Sequence, residues 1–268
     1  MTGTMIVHAV RESINRRSGL VLLGSALLVA AVFAGFTEFS REKSELVVYL
    51  GPGRPIPASQ YVAGSMKQVL QVCTGFWMYL TIFAMAALLV APFERGYLEM
   101  LLAKPWSRSR LLAGRFLGAM VLAAAGMLAL VIPVAGRYRL WVDFPLYPYL
   151  QALLYVLVLY AVLGAFMQLI TVLLPNTGVV ILSGFAMILL SNFLHQRAAL
   201  VTLTDKAWAL ALADYAYYVL PKYNGIRDIV IQLGESQEVT SWMPVWSSVL
   251  FGAACWGLAA FAFSRKSY

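Results

Sequence analysis

The chain has 268 residues, of which 61% are hydrophobic and only 12% are charged, and its net charge is +8. An ordinary soluble domain carries roughly a quarter charged residues, so this composition excludes one. The apolar residues fall in long blocks rather than in alternation, which predicts an all-α integral membrane protein. We interpret the positive charge as a sign of membrane topology and of contact with membrane lipid, and we expect no nucleic-acid partner.

The residues before the first apolar block, 1–18, predict an amphipathic helix that lies in the membrane interface. One side of this helix is apolar and the other is polar; the apolar side consists of Ile6, Val7, Val10 and Ile14. Two roles stay open for it, a simple membrane anchor or a lever that docks against a cytosolic partner.

Six apolar stretches predict six membrane-spanning helices, which we place near 19–37, 70–91, 113–135, 149–174, 177–194 and 245–263. The fourth and fifth helices come from one run, 144–196, that holds no Asp, Glu, Lys or Arg. This run is far longer than the ~20 residues that one span needs. We expect Pro175 to end the earlier helix, and Asn176 or Thr177 to cap the next.

Two of the loops between the predicted spans are long. The first, Glu38–Lys67, is rich in turn residues and shows no span potential. The other, 195–244, begins with an apolar stretch that is interrupted by Asp205, Lys206 and Asp214. Its Trp and Tyr residues are typical of a membrane interface. We therefore expect re-entrant helices that dip into the outer leaflet between spans 5 and 6.

The distribution of Lys and Arg predicts that both termini are cytoplasmic. With that orientation the short inner segments hold ten cations and three acids. The other ten cations are spread over longer outer loops beside nine acids. Because the density of Lys and Arg in short loops sets the orientation, the opposite topology is disfavoured.

Several kinds of site are absent from the sequence. There is no Gly-x-x-x-x-Gly-Lys-Ser/Thr phosphate loop, so we do not expect the chain to bind or hydrolyse ATP. Only two histidines and two cysteines occur, and no metal-binding motif contains them. The predicted spans hold no ionisable pairs, which argues against a proton relay, an ion-coupled carrier or an intramembrane enzyme. We therefore predict that the chain is not an enzyme and carries no cofactor of its own.

A charged segment between the second and third spans, 92–115, is the most informative part of the sequence. Pro92 ends the second span, and residues 94–103 predict a short helix with one apolar stripe. Glu94 lies in its first turn, where the positive end of the helix dipole favours a carboxylate. Lys104 and Pro105 break this helix before the third span begins. At the base of that span Gly114 and Gly118 form a small-xxx-small pair, which predicts close helix packing.

This arrangement resembles the permease subunits of ABC-2 type (type V) ABC transporters. The resemblance lies in a Glu-x-x-Gly-x-Leu-Glu-like segment followed by Leu-Leu, Pro and Ser-Arg, and then by a glycine-flanked entry into the third span. The matching residues are Glu94, Gly96, Leu98, Glu99, Leu101, Leu102, Pro105, Ser107, Arg108 and Gly114-Arg115-Phe116-Leu117-Gly118. Tyr97 replaces the usual small polar residue, and Arg115 replaces the usual lysine.

The resemblance implies a fold and a function for the whole chain. Residues 1–268 would form a single ABC-2 type transmembrane domain in a bacterial cytoplasmic (inner) membrane. It would move a substrate, in the direction of export, with ATP and Mg²⁺ bound by a separate ATP-binding cassette ATPase subunit. A second permease subunit, identical or related, would complete the transporter.

In that family the segment after the second span is a cytoplasmic coupling helix that docks into the ATPase. The residues that the resemblance assigns to ATPase coupling are Glu94, Arg95, Gly96, Leu98, Glu99, Leu102 and Arg108. The alternative for Arg95, Lys104, Arg108 and Arg110 is plain positive-inside charge, which would explain about half of them. The leucines could equally be membrane anchors.

A second hypothesis belongs to a different class of protein. The same segment would serve a membrane scaffold or assembly factor that docks a cytosolic ATPase without moving a solute. A flux assay in sealed vesicles separates the two hypotheses, because a scaffold shows no ATP-dependent transport.

Overall fold

The protein is represented by a computed structural model that describes residues 7, 11–12, 18–35, 38–42, 45–49, 56–93, 107–196 and 207–266. These residues form nine α-helices and three short strands. The helices are α1 (Ser18–Gly35), α2 (Ala58–Thr74), α3 (Phe76–Val90), α4 (Arg108–Arg139), α5 (Tyr147–Leu173), α6 (Thr177–His195), α7 (Ala207–Val219), α8 (Tyr223–Gly234) and α9 (Met243–Arg265). The strands are β1 (Glu38–Glu42), β2 (Glu45–Tyr49) and β3 (Ile56–Pro57).

The prediction of a helical membrane protein is confirmed at this level. Five helices of the described residues are long and apolar enough to cross a membrane: 58–93, which joins α2 and α3, and α4, α5, α6 and α9. The predicted first span corresponds to α1, whose apolar run Gly19–Phe33 is shorter than the other five. Of the N-terminal segment 1–18, Val7, Arg11 and Glu12 are described as helical outside α1.

The junction between α5 and α6 follows the local sequence. α5 ends at Leu173, and Asn176 caps α6 by accepting a hydrogen bond from the backbone N–H of Val179 at 3.2 Å. This side chain satisfies one of the N–H groups that a helix start leaves without an intrahelical partner. Because the connection is short, α5 and α6 run antiparallel.

The prediction for the first loop was incomplete, since part of Glu38–Lys67 has regular structure. β1, β2 and β3 form an antiparallel sheet in which Phe39 pairs with Val48. The Phe39 ring stacks on Trp141 at 5.4 Å, and the Arg137 guanidinium lies over both rings. This aromatic contact holds the sheet against the end of α4.

The prediction for the second span was wrong about where its helix begins. α2 starts at Ala58, twelve residues before the predicted start at 70, because Val62, Met66, Val69 and Cys73 give it a buried stripe at helical spacing. The helix breaks at Gly75, where an added Cβ would lie 2.9 Å from the carbonyl oxygen of Gln71. At the break the Tyr160 hydroxyl donates a 2.6 Å hydrogen bond to the carbonyl of Cys73.

The core is one large cluster of apolar side chains between α1, α2, α3, α4, α5, α6 and α8, and a smaller second cluster surrounds Phe263 of α9. α1 packs along α4, and α9 packs along α5. Trp77 and Met85 of α3 are completely or almost completely buried at the centre of the cluster. The outer faces of α1, α6 and α9 expose leucines and phenylalanines, as helices in contact with lipid do.

The predicted re-entrant region contains two separate helices. α7 exposes large apolar and aromatic side chains, among them Trp208, Tyr215 and Tyr218. α8 packs against α2, α5 and α6 and buries Ile226, Ile229 and Val230. Residues 197–206, which complete this region, lie outside the described residues.

Candidate functional site

Five helix ends meet at one end of the bundle, which we call the basal end. α3 finishes there, followed by a short 3-10 turn at Ala91–Phe93. α4 and α6 begin there, and α5 and α9 finish there. Because the predicted coupling segment runs between α3 and α4, both ends of that segment belong to the basal end.

Most of the predicted coupling residues are not among the residues that the structure describes. Glu94, Arg95, Gly96, Leu98, Glu99 and Leu102 lie outside the described residues, and their roles stay predictions. Arg108, Gly114 and Gly118 are described and lie in α4. Both glycines are buried, and their part in close helix packing stays a prediction.

The two ends of the segment 94–106 converge on one residue of α9. Before the segment, the ring of Phe93 makes an edge-to-face contact with Phe263, with 5.7 Å between centroids. After the segment, Nη1 of Arg108 donates a hydrogen bond to the carbonyl oxygen of Phe263 at 3.3 Å. Phe263 is 1% exposed, so both contacts are made within a packed cluster. The cluster consists of Leu111, Leu112, Val172, Ala259 and Phe263.

Cationic side chains hold the C-terminal ends of α9 and α5. Arg108 also donates to the carbonyls of Ser264 and Lys266. Lys266 in turn donates from Nζ to the carbonyl of Val172 at 2.6 Å. The last carbonyls of a helix have no intrahelical donor and carry partial negative charge, so cations are favourable partners there.

A buried ion pair lies one to two turns further into the bundle. Nη1 of Arg115 is 2.5 Å from Oε2 of Glu12, and the two side chains are 7% and 13% exposed. The expectation that the spans hold no ionisable pairs therefore needs correction, since Arg115 is a buried residue of α4. The pair was missed because its acid comes from the N-terminal segment, which was predicted to lie on the membrane surface.

Gln168 of α5 adds a polar group to the same region. It is 2% exposed, and its Nε2 donates to the carbonyl of Leu112 at 3.3 Å. Among the described residues its Oε1 has no hydrogen-bond partner. A void of about 10 Å³ lies between Gln168, Arg115, Phe93 and Phe263, which is close to the space that one water molecule needs.

Two larger cavities lie away from the basal end. An apolar groove of about 590 Å³ runs between α4, α5 and α9, with walls that include Ala113, Val162, Gly252 and Trp256. At the opposite end of the bundle, a more polar cleft of about 500 Å³ is lined by Lys67 and Glu235, whose charged atoms are 2.7 Å apart. The described residues contain no group of three or more His, Cys, Asp or Glu side chains that could hold a metal ion.

No family model matches this chain, and a search of curated proteins found no match either.

The predicted topology can be checked by labelling engineered cysteines. Cys73 and Cys255 are both buried, so the native protein gives little background. Ser107 lies at the basal end, Thr240 lies at the opposite end, and both are exposed. In intact cells we expect a membrane-impermeant maleimide to label Thr240→Cys and to leave Ser107→Cys unlabelled until the cells are permeabilised. Labelling of Ser107→Cys in intact cells would show that the basal end faces outside and that the predicted orientation is wrong.

Proposed function

We propose that this chain is the permease subunit of an ABC-2 type ATP-binding cassette transporter. It has six spans, with α1 as the first and α2–α3 as the second, and both termini are cytoplasmic. Two permease subunits, identical or related, pair with two ATPase subunits in a bacterial inner membrane. ATP and Mg²⁺ are bound by the ATPase subunits, and the substrate is exported.

The basal end supports this proposal more than any other feature. A segment that receives force from a partner must be attached firmly to the spans, or its movement is dissipated. Both ends of the segment 94–106 are attached to Phe263 of α9, on one side through Phe93 and on the other through Arg108. Movement of this segment therefore acts directly on α9, and through Lys266 on the end of α5.

The helices also support a role in which energy comes from outside the chain. The buried ion pair between Arg115 and Glu12 lies next to the basal end and not across the bundle. A proton relay would need ionisable groups along the path through the membrane. A permease that is driven by a partner ATPase needs none.

Co-purification tests the proposal. The chain is tagged in its native host, extracted in mild detergent together with any ATP-binding cassette ATPase bound to it, and placed in lipid nanodiscs. We expect a stable complex whose ATP turnover differs from that of the ATPase alone. A failure of the two chains to co-purify, in detergent and in nanodiscs, would overturn the proposal.

The alternative function is a scaffold that docks the ATPase without moving a solute. A scaffold would also co-purify, so the two functions are separated by transport. Sealed vesicles that contain the complex are tested for ATP-dependent movement of a fluorescent phospholipid, because the described span surfaces are apolar. Transport supports the permease, while an active complex that moves no lipid or hydrophobic drug probe favours the scaffold.

A further inference from the structure

We propose that Arg108 and Lys266 are positioning residues that clamp the end of α9 between the start of α4 and the end of α5. In this role Arg108 acts within its own chain and not as a contact to the ATPase. The clamp passes movement of the segment 94–106 to the apolar groove between these three helices. This inference rests on the proposed function for the source of the movement, but the clamp itself does not depend on it.

The first part of the clamp is the set of contacts between Arg108 and the end of α9. Its Nη1 atom lies within hydrogen-bond distance of the carbonyls of Phe263 and Ser264 in the last turn of α9 and of Lys266 just after it. This one nitrogen carries two N–H donors, which the three neighbouring carbonyls share, and the planar guanidinium is thereby held against the end of α9. Arg108 is thus turned towards α9.

The second part of the clamp is Lys266, which connects the end of α9 to a third helix, α5. Its Nζ atom is 2.6 Å from the carbonyl of Val172 and 3.5 Å from that of Leu173. Both carbonyls belong to the last turn of α5. The acceptors in all these contacts are backbone atoms, so displacement of either side chain displaces the helix end itself.

The apolar groove between α4, α5 and α9 lies close enough to the clamp to be affected by it. Its wall begins at Ala113 and Phe116 of α4, between one and three turns above Arg108. The opposite wall includes Gly252 and Ala253 of α9. α9 approaches α5 closely, since a Cβ on Gly252 would lie 3.3 Å from Cα of Val162 in α5. A shift of the end of α9 relative to α4 therefore changes the width of the groove.

The clamp is tested first in the chain alone by amide hydrogen exchange at the end of α9. Arg108→Gln and Lys266→Gln are compared with Arg110→Gln, a matched control on an exposed arginine, and with Ser264→Ala, which keeps the backbone carbonyl. We expect exchange at 260–266 to become roughly tenfold faster in the first two variants, since hydrogen bonds to charged groups are lost. No change, or an equal change in Arg110→Gln, would overturn the clamp.

The transmission of movement is tested in the complex with the ATPase. Spin labels at Ala113→Cys and Ala253→Cys report the width of the groove with and without ATP. We expect the distance between the two spin labels to change when ATP is added. This change is kept in Arg110→Gln and lost in Lys266→Gln. Lys266→Gln still co-purifies with the ATPase. Loss of co-purification in Lys266→Gln, or an unchanged distance response, would overturn the inference. A wild-type chain that binds no ATPase refutes the proposed function instead, and leaves the exchange result to decide the clamp.

Discussion

Replacement of Glu12 by glutamine is expected to destabilise the protein by about 3 kcal/mol, because it removes the carboxylate from a buried arginine. The Arg115 guanidinium is 7% exposed and lies 2.5 Å from Glu12. Removing one member of a buried pair is strongly unfavourable, since the other charge keeps the cost of its desolvation. The change is measured as a loss of thermal stability in detergent.

A double-variant cycle shows whether this loss comes from the pair. Arg11→Gln is the matched control, because Arg11 is adjacent and exposed. We expect Glu12→Gln and Arg115→Met each to lower the unfolding temperature clearly. We expect the double variant Glu12→Gln/Arg115→Met to lose much less than the sum of the two. Additive losses, or a loss in Glu12→Gln no larger than in Arg11→Gln, would contradict the pair as a source of stability.

Replacement of both Glu94 and Glu99 by glutamine is expected to weaken binding of the ATPase roughly tenfold or more. These two acids stand out because, with the predicted orientation, the inner segments hold three acids against ten cations. If their carboxylates meet cations on the ATPase, the double variant removes two charge-assisted contacts. Binding is measured by titrating the purified ATPase against the chain in nanodiscs.

Asp143→Asn is the matched control for this double variant. Asp143 is an exposed acid of the connection between α4 and α5, at the opposite end of the bundle. We expect it to bind the ATPase as the wild type does. ATPase binding and turnover that stay unchanged in Glu94→Gln/Glu99→Gln would refute the assignment of these residues to coupling.

The long apolar helices could be predicted from the sequence because they depend on local properties. The break between α5 and α6 is an example, since Pro175 and Asn176 determine it through backbone geometry and a capping hydrogen bond. The start of α2 was missed because its polar face carries Lys67 and Gln68, so its average composition is that of a loop. Only the spacing of its apolar residues marks it as a helix.

Long-range contacts at the basal end could not be predicted in the same way. The resemblance assigned Arg108 to ATPase coupling, with positive-inside charge as the alternative, whereas its acceptors are backbone carbonyls at positions 263, 264 and 266. Every residue has a backbone carbonyl, so the sequence does not indicate which carbonyls accept hydrogen bonds from Arg108. Glu12 and Arg115 carried a weak signal, as an acid and a cation near apolar runs, but 103 positions separate them.

The most direct test of a coupling role for the segment 94–106 is site-specific photo-crosslinking from position 99 in living cells. A photoreactive amino acid replaces Glu99, and covalent partners are identified by mass spectrometry. The matched control carries it at Trp208, an exposed residue of α7. We expect an ATP-binding cassette ATPase crosslinked from position 99 and not from position 208. No ATPase adduct at position 99, or an equal yield at position 208, would contradict the coupling role.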